Sequence, residues 1–176
     1  MEHAPSIRAL IDAYTEGAWE GGALVKEIRI SNLIFNINKQ FGHIPPEPDL
    51  EHAIEKIAWA NHIVLFTPVS LEAIPSKIKG FFDRIFMPDE VFRRQQPFNN
   101  NFTGKTARIV SILDEQAWRD WKQTQRSTYH TIKRKVLENS GIKPVHTCTI
   151  GHLESLENPY SKKWIKKLFV FGEKLI

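Results

Sequence analysis

The chain reads as an α/β protein: one parallel sheet between two layers of helix, a three-layer sandwich of 176 residues. Three observations predict this. Short apolar runs alternate along the chain with longer stretches whose apolar residues recur at helical spacing. The run Ile63, Val64, Leu65, Phe66 is uninterrupted, the pattern of a strand buried on both faces between helices. Beyond it, a loop bounded by Pro68 and Pro75 leads into an amphipathic helix, so strand, loop and helix make half of a βαβ unit. In open parallel sheets ligands bind outside the carboxyl ends of the strands, which points to Pro68 through Pro75 as the place for chemistry.

The elements follow in order. A helix is expected from Ser6 to Trp19, with Ile7, Leu10, Ile11, Tyr14 and Ala18 on one face and Gly21 and Gly22 ending it. Ala23 to Ile30 reads as an edge strand, because Leu24, Ile28 and Ile30 share a face and Lys26 interrupts it. Ser31 to Pro48 has no clean period and holds Pro45, Pro46 and Pro48, which suits a long surface connection. Asp49 stands where it would cap a helix whose buried stripe is Leu50, Ala53, Ile54, Ile57 and Ala58. Then come the strand ending at Pro68 and the helix after Pro75. There Ile78, Phe81, Phe82 and Ile85 face inward, and Lys77, Lys79, Asp83 and Arg84 form the polar side.

Met87 to Thr103 is irregular, and its Phe92, Phe98 and Phe102 need cover from the loop itself, a partner subunit or a bound ring. Gly104 turns the chain into the strand Thr106 to Leu113. Asp114 to Arg126 reads as a polar loop carrying Trp118 and Trp121 at that strand's carboxyl end. Helix resumes near Ser127, with Tyr129, Ile132, Val136 and Leu137 inward and Gly141 as its C-terminal cap. Pro144 to Ile150 is a further strand. The last helix, Tyr160 to Leu175, buries Trp164, Ile165, Leu168 and Leu175 and turns its lysines to water.

Composition narrows the function classes. With 41% apolar and 25% charged residues the chain can build an ordinary globular core as a single domain, 1–176. No apolar run approaches the roughly 20 residues of a membrane-spanning helix, and no secretory signal opens the sequence. Cys148 is the one cysteine, so no internal disulfide can form, and a cytoplasmic location is expected. Its surroundings suggest a strand thiol rather than a nucleophile. The net charge of +4 comes from lysines and arginines spread over several elements, without a nucleic-acid-binding motif, so solvated helix faces explain them better than a nucleic-acid partner.

The run Pro68 to Phe86, PVSLEAIPSKIKGFFDRIF, resembles the signature of the flavodoxin-like NAD(P)H dehydrogenase (quinone) family, matching it at Pro68, Pro75, Lys79, Gly80, Phe82, Asp83, Arg84 and Phe86. Leu137 to Val145, LENSGIKPV, is similar to the family's segment before its last strand. The resemblance extends over nearly the whole chain. It implies a flavodoxin-like three-layer sandwich with strand order 2-1-3-4-5, from which the first strand is missing here. It also implies FMN or FAD as cofactor, NAD(P)H as co-substrate, a quinone-like acceptor and a homodimer. Some relatives are ancillary subunits of potassium efflux systems. The alternative is therefore a non-catalytic member acting as an interaction or regulatory subunit.

Three loops would hold the flavin by this resemblance. For the phosphate loop only Met1 to Pro5 precede the first helix, and Ser6 is the nearest hydroxyl, also suited to an N-cap. In the second loop, Pro68, Val69, Ser70 and Leu71 would meet the ring. Ser70 and Leu71 stand where the family has adjacent aromatics, and Glu72 brings a carboxylate toward a ring that becomes anionic on reduction. In the third, Ile112, Leu113 and Asp114 replace small residues, and Trp118 either matches an aromatic of the acceptor pocket or simply covers the end of the sheet. His130 and His146 are the candidate proton donors. Loss of a central strand would leave backbone groups in the core unpaired, so either a start upstream of Met1 or a truncated gene product is expected.

Overall fold

In the computed structural model the described residues are 5–37, 47–70, 75–86, 102–124, 130–153 and 155–175. Three parallel strands, β1 (His62–Val69), β2 (Thr106–Leu113) and β3 (Val145–Ile150), form one sheet in that order. Leu65 lies beside Ile109, and Ile109 beside Thr147. The helices are α1 (Pro5–Glu20), α2 (Pro48–Trp59), α3 (Ser76–Phe86), α4 (Glu115–Thr124) and α5 (Pro159–Lys174). A π-helical segment, Thr131–Glu138, precedes β3.

Strand alternation sends successive side chains to opposite faces, and each face meets its own helix layer. Val110, Ile112 and Ile150 pack with Leu10 and Tyr14 of α1 and Leu168 of α5. On the other face, Leu65, Ile109 and Val145 pack with Leu50 and Ile57 of α2, Phe81, Phe82 and Ile85 of α3, and Ile132, Val136 and Leu137 of the π-helical segment. The sheet with helices on both sides is the flavodoxin-like α/β sandwich.

Glycine sets how closely α1 and α5 approach. A Cβ on Gly172 would lie 2.0 Å from the carbonyl oxygen of Tyr14, and one on Gly17 would lie 2.0 Å from that of Phe169. The two backbones therefore touch. The resemblance motif also acquires physical content in α3. Gly80 leaves room for Ile37, whose Cγ2 would be 1.9 Å from an added Cβ. Arg84 donates to Glu47 at 2.8 Å and to the carbonyl of Asn36 at 3.0 Å, tying α3 to the start of α2.

Several expectations are corrected. Residues 23–29 are not a strand: they run without a sheet partner among the described residues, Leu24 is 82% exposed, and Ile30–Asn32 forms a 3-10 turn. Among the described strands only β2 pairs with β1, and Ile28 and Ile30 pack instead against the α2 and α3 layer. Among the described strands β1 is therefore at the edge of the sheet. Ile63, Val64 and Phe66 are half-buried rather than covered on both faces. Asp49 is not a cap, since Glu47 occupies the N-cap position and the Asp49 carboxylate accepts from the Ile34 N–H at 2.6 Å.

The stretch after Asp114 is the helix α4, not a loop. Leu175 lies outside α5 in a left-handed cap and is exposed. Phe102 is buried by local packing, its ring 5.1 Å from that of Phe86. Phe92, Phe98 and Tyr129 lie outside the described residues.

Candidate functional site

The carboxyl ends of β1 and β2 are joined by a small constellation. The N–H of Asp114 donates to the carbonyl of Val69 at 3.1 Å, locking the two strand ends together. The Asp114 carboxylate then accepts from the Ala117 N–H at 2.7 Å, and its carbonyl accepts from the Trp118 N–H at 2.9 Å. Asp114 is thus the N-cap of α4. Its acidic side chain complements the positive end of that helix and is spent on the helix itself.

Capping α4 this way places both of its tryptophans. Trp118 lies over Gly151 just past β3, where an added Cβ would fall 2.5 Å from the indole. Trp121, one helical turn on, stacks on Trp118 with ring centroids 5.1 Å apart and an interplanar angle of 11°. Both are half-buried, packed on Val69, Leu113 and Ala117. The result is a partly exposed aromatic surface at the carboxyl edge of the sheet. Sequence reasoning proposed Trp118 and passed over Trp121. The i, i+3 spacing of two tryptophans in a polar stretch was the available sign of an amphipathic helix.

Other candidates fall as follows. Pro68 is half-buried, Ser70 is exposed beside it, and Leu71 and Glu72 lie outside the described residues. Val69 and Leu113 are buried and lie beneath the two tryptophans. Ser6 is half-buried in the first turn of α1 rather than capping it from outside. Tyr14 meets His62 at the amino end of β1, and α1 runs parallel to α5, which starts beside Gly151 past the end of β3, so Ser6 lies about 12 Å along the helix axis toward the carboxyl ends of the strands. His130 is exposed at the head of the π-helical segment. His146 is exposed near the amino end of β3, the wrong end of the sheet for donating to an acceptor held near Trp118.

Two groups with displaced pKa values, Tyr14 and His62, meet at the amino end of β1. Tyr14 OH and His62 Nε2 are 3.1 Å apart, and His62 Nδ1 is 2.5 Å from Thr106 Oγ1. Burial, then the neighbouring charges of Arg108 and His146, lowers His62 to about 4. Burial also lifts Tyr14 to about 12, against the opposing charge of Arg108. Arg108 itself is buried, its guanidinium carbon 3.9 Å from the centre of the Phe171 ring. Cys148 is held up by burial, which fits a structural thiol rather than a nucleophile.

A depression of about 460 Å³ between residues 26–33 and α2 is lined by Glu27, Arg29 and Lys56 among others. Arg29 pairs with Glu27, and Lys56 donates to the carbonyl of Glu27, so these charges serve one another. No cluster of metal-binding side chains occurs among the described residues. Nor is any described helix long and apolar enough to cross a membrane.

A fold of this topology with an aromatic surface at the strand ends defines a class, the flavodoxin-like proteins. Residues 2–168 match the family model described as flavodoxin-like fold, and the chain belongs to that family. The chain is similar in structure to an NAD(P)H:quinone oxidoreductase from Methanothermobacter marburgensis, with TM-score 0.76 and 18% identity over 99% of this chain and 90% of that one. It is similar to Smu.1420 from Streptococcus mutans UA159, with TM-score 0.70 and 17% identity over 97% and 93% of the two chains. An FMN-dependent NADH-azoreductase from Bacillus anthracis aligns with TM-score 0.61 and 12% identity over 95% and 91%. Comparison with curated protein sequences finds no match.

Proposed function

We propose that the chain is a flavin-dependent NAD(P)H:quinone oxidoreductase, carrying a hydride from NAD(P)H by way of FMN or FAD to a quinone-like acceptor. The observation that supports this best is the stacked Trp118 and Trp121 pair at the carboxyl ends of the strands. A half-exposed aromatic surface suits a flat ring, and its position suits the usual ligand crevice of an open parallel sheet. Family membership and the oxidoreductases among the structural neighbours support the same reading.

The residues present fit a flavin in part. The stacked Trp118 and Trp121 pair offers its partly exposed surface to the ring, Ser70 offers an exposed hydroxyl near it, and the first turn of α1 at Ser6 offers a positive helix end toward a phosphate. Half-buried Pro68 adjoins this surface, and buried Val69 and Leu113 support it from beneath. Asp114 acts differently from the expectation: it is a positioning residue that seats α4 and so aims Trp118. The bound flavin supplies the electron transfer, and the protein's task is to orient its ring and exclude water from it.

The second reading, a non-catalytic interaction subunit, is favoured by how much of the site is turned inward. Val69 and Leu113 are buried, and both backbone groups and the carboxylate of Asp114 are used within the fold. One purification separates the two. The enzyme reading expects flavin absorbance retained through desalting after incubation with FMN or FAD, and NAD(P)H oxidation on adding menadione. Absence of both supports the interaction subunit. The proposed homodimer is checked separately by light scattering on the eluting peak.

A further inference from the structure

Basic residues occur along the whole chain, but the helix α5 holds the surplus. It carries five lysines and one glutamate, a net charge equal to the +4 of the entire protein. The rest of the chain therefore balances to zero. The helical period sorts the residues of α5 cleanly. At about 100° per residue, Lys163, Lys166, Lys167, Val170 and Lys174 fall within an arc of roughly 100°, opposite the buried Ser161, Leu168 and Gly172. All five are exposed. The stripe runs about 16 Å along the helix axis.

This face lacks the charge pairing that the chain uses on its other helices. Arg8 pairs with Asp12 on α1, and Arg119 with Glu115 on α4, each across one turn. At the same spacings Lys163 meets Lys166 and Lys167, which repel it. Lys162, beside the stripe, has the Glu157 carboxylate at 2.7 Å. Lys167 lies over the rings of Trp164 and Phe171, at 4.7 and 5.4 Å from their centres. The acids of this layer stand to one side: Glu16 and Glu20 are exposed on α1, and the backbone of Glu173 packs against Gly21 at the end of that helix.

We propose that this face docks on an anionic lipid surface, with α5 lying along the plane of the headgroups. Charge fixes the sign of the partner, and composition selects a bilayer. The stripe is all lysine, whose compact charge suits a fluid layer of headgroups, and it has none of the forked arginines that grip fixed phosphates. Val170 within the stripe and Leu175 at its end are exposed apolar side chains that the headgroup and acyl boundary would cover. A nucleic acid fits less well. A helix seated in a groove meets phosphates on both flanks, and the flank toward α1 presents Glu16, Glu20 and Glu173. A flat surface can rest on α5 alone, tilted away from α1. The inference is independent of flavin binding.

The test measures co-sedimentation of the intact chain with vesicles of phosphatidylcholine alone and of phosphatidylcholine with roughly 30% phosphatidylserine. The expected result is at least tenfold tighter binding to the anionic vesicles, weakened at least tenfold between about 0.05 and about 0.5 M sodium chloride. The triple variant Lys163→Gln, Lys166→Gln, Lys174→Gln should bind them at least tenfold more weakly. Its denaturation midpoint should be no lower than that of the wild type, because like-charge repulsion is relieved. The control Arg134→Gln, Lys135→Gln, Lys143→Gln makes the same change in net charge at exposed positions elsewhere and should weaken binding less than about threefold. Equal loss in the two triple variants assigns binding to net charge and overturns the proposal. Equal binding to the two kinds of vesicle, or no binding, also overturns it. Retention on a random duplex DNA at salt that releases the vesicles, lost in the stripe variant, overturns it as well and assigns the face to nucleic acid.

Discussion

Gly172 shows how much one missing atom can determine. Its would-be Cβ lies 2.0 Å from a carbonyl oxygen of α1, a backbone atom that cannot swing aside. Gly172→Ala must push the helices apart, and we expect a loss of roughly 1–3 kcal/mol in urea denaturation. An unchanged midpoint would contradict the backbone contact. His62 acts through charge instead. Its pKa falls from 6.5 to about 4 on folding, so the folded state favours the neutral ring. The unfolded chain binds more protons between those values, and stability is full above pH 6.5 and declines as pH drops toward 4. The effect is on the order of 2 kcal/mol after allowance for partial exposure. Denaturation midpoints of the wild type and His62→Gln across that window should converge at low pH. Parallel profiles would remove His62 as the cause.

Elements are joined by side chains that sequence periodicity assigns merely to a polar face. Arg84 sits on the outer side of the α3 pattern, yet it is the tie to Glu47 at the head of α2. Burial raises the Glu47 carboxyl, but the Arg84 hydrogen bond and backbone donors outweigh it and bring it down to about 2. That contribution is present above pH 4.5 and is lost as pH falls toward 2. Glu47→Gln should weaken the α2 and α3 junction by about 1 kcal/mol at neutral pH and flatten the acid limb of the stability profile. An acid limb as steep as that of the wild type would remove Glu47 as its source. For α4 the anchor is Trp118 against Gly151. Trp118→Ala should cost about 2 kcal/mol and abolish flavin retention, whereas Trp121→Ala should lower retention with a smaller stability loss. Equal retention in both variants would place the ring elsewhere.

At the scale of the whole molecule, β2 is the central one of the three described strands and β1 and β3 flank it. Amides of Ile109 through Leu113 in the buried β2 should exchange only on global unfolding, while those of half-buried Val64 and Phe66 in β1 should exchange faster, by local routes. Native-state hydrogen exchange measures both. The helix positions were legible because a buried stripe at 3.6-residue spacing survives any arrangement of neighbours: α1, α2, α3 and α5 lie where their apolar residues place them. The segment 23–29 misled, since Leu24 and Ile28 alternate as a strand's residues do, but a strand exists only when another backbone pairs with it. α4 was missed because its two tryptophans are too few to establish a period.

The sequence by itself determined the α/β class, the four long helices, the three paired strands and the family, because each rests on local pattern or on a motif whose residues stay together. Tertiary structure alone decided that β1 is at the edge of the described strands, that Asp114 caps a helix instead of facing a ligand, and that Trp121 joins Trp118. Each of these depends on which distant backbone or ring comes within a few ångströms. Pairing and stacking are contacts between separated parts of the chain, and no short stretch of residues carries that information.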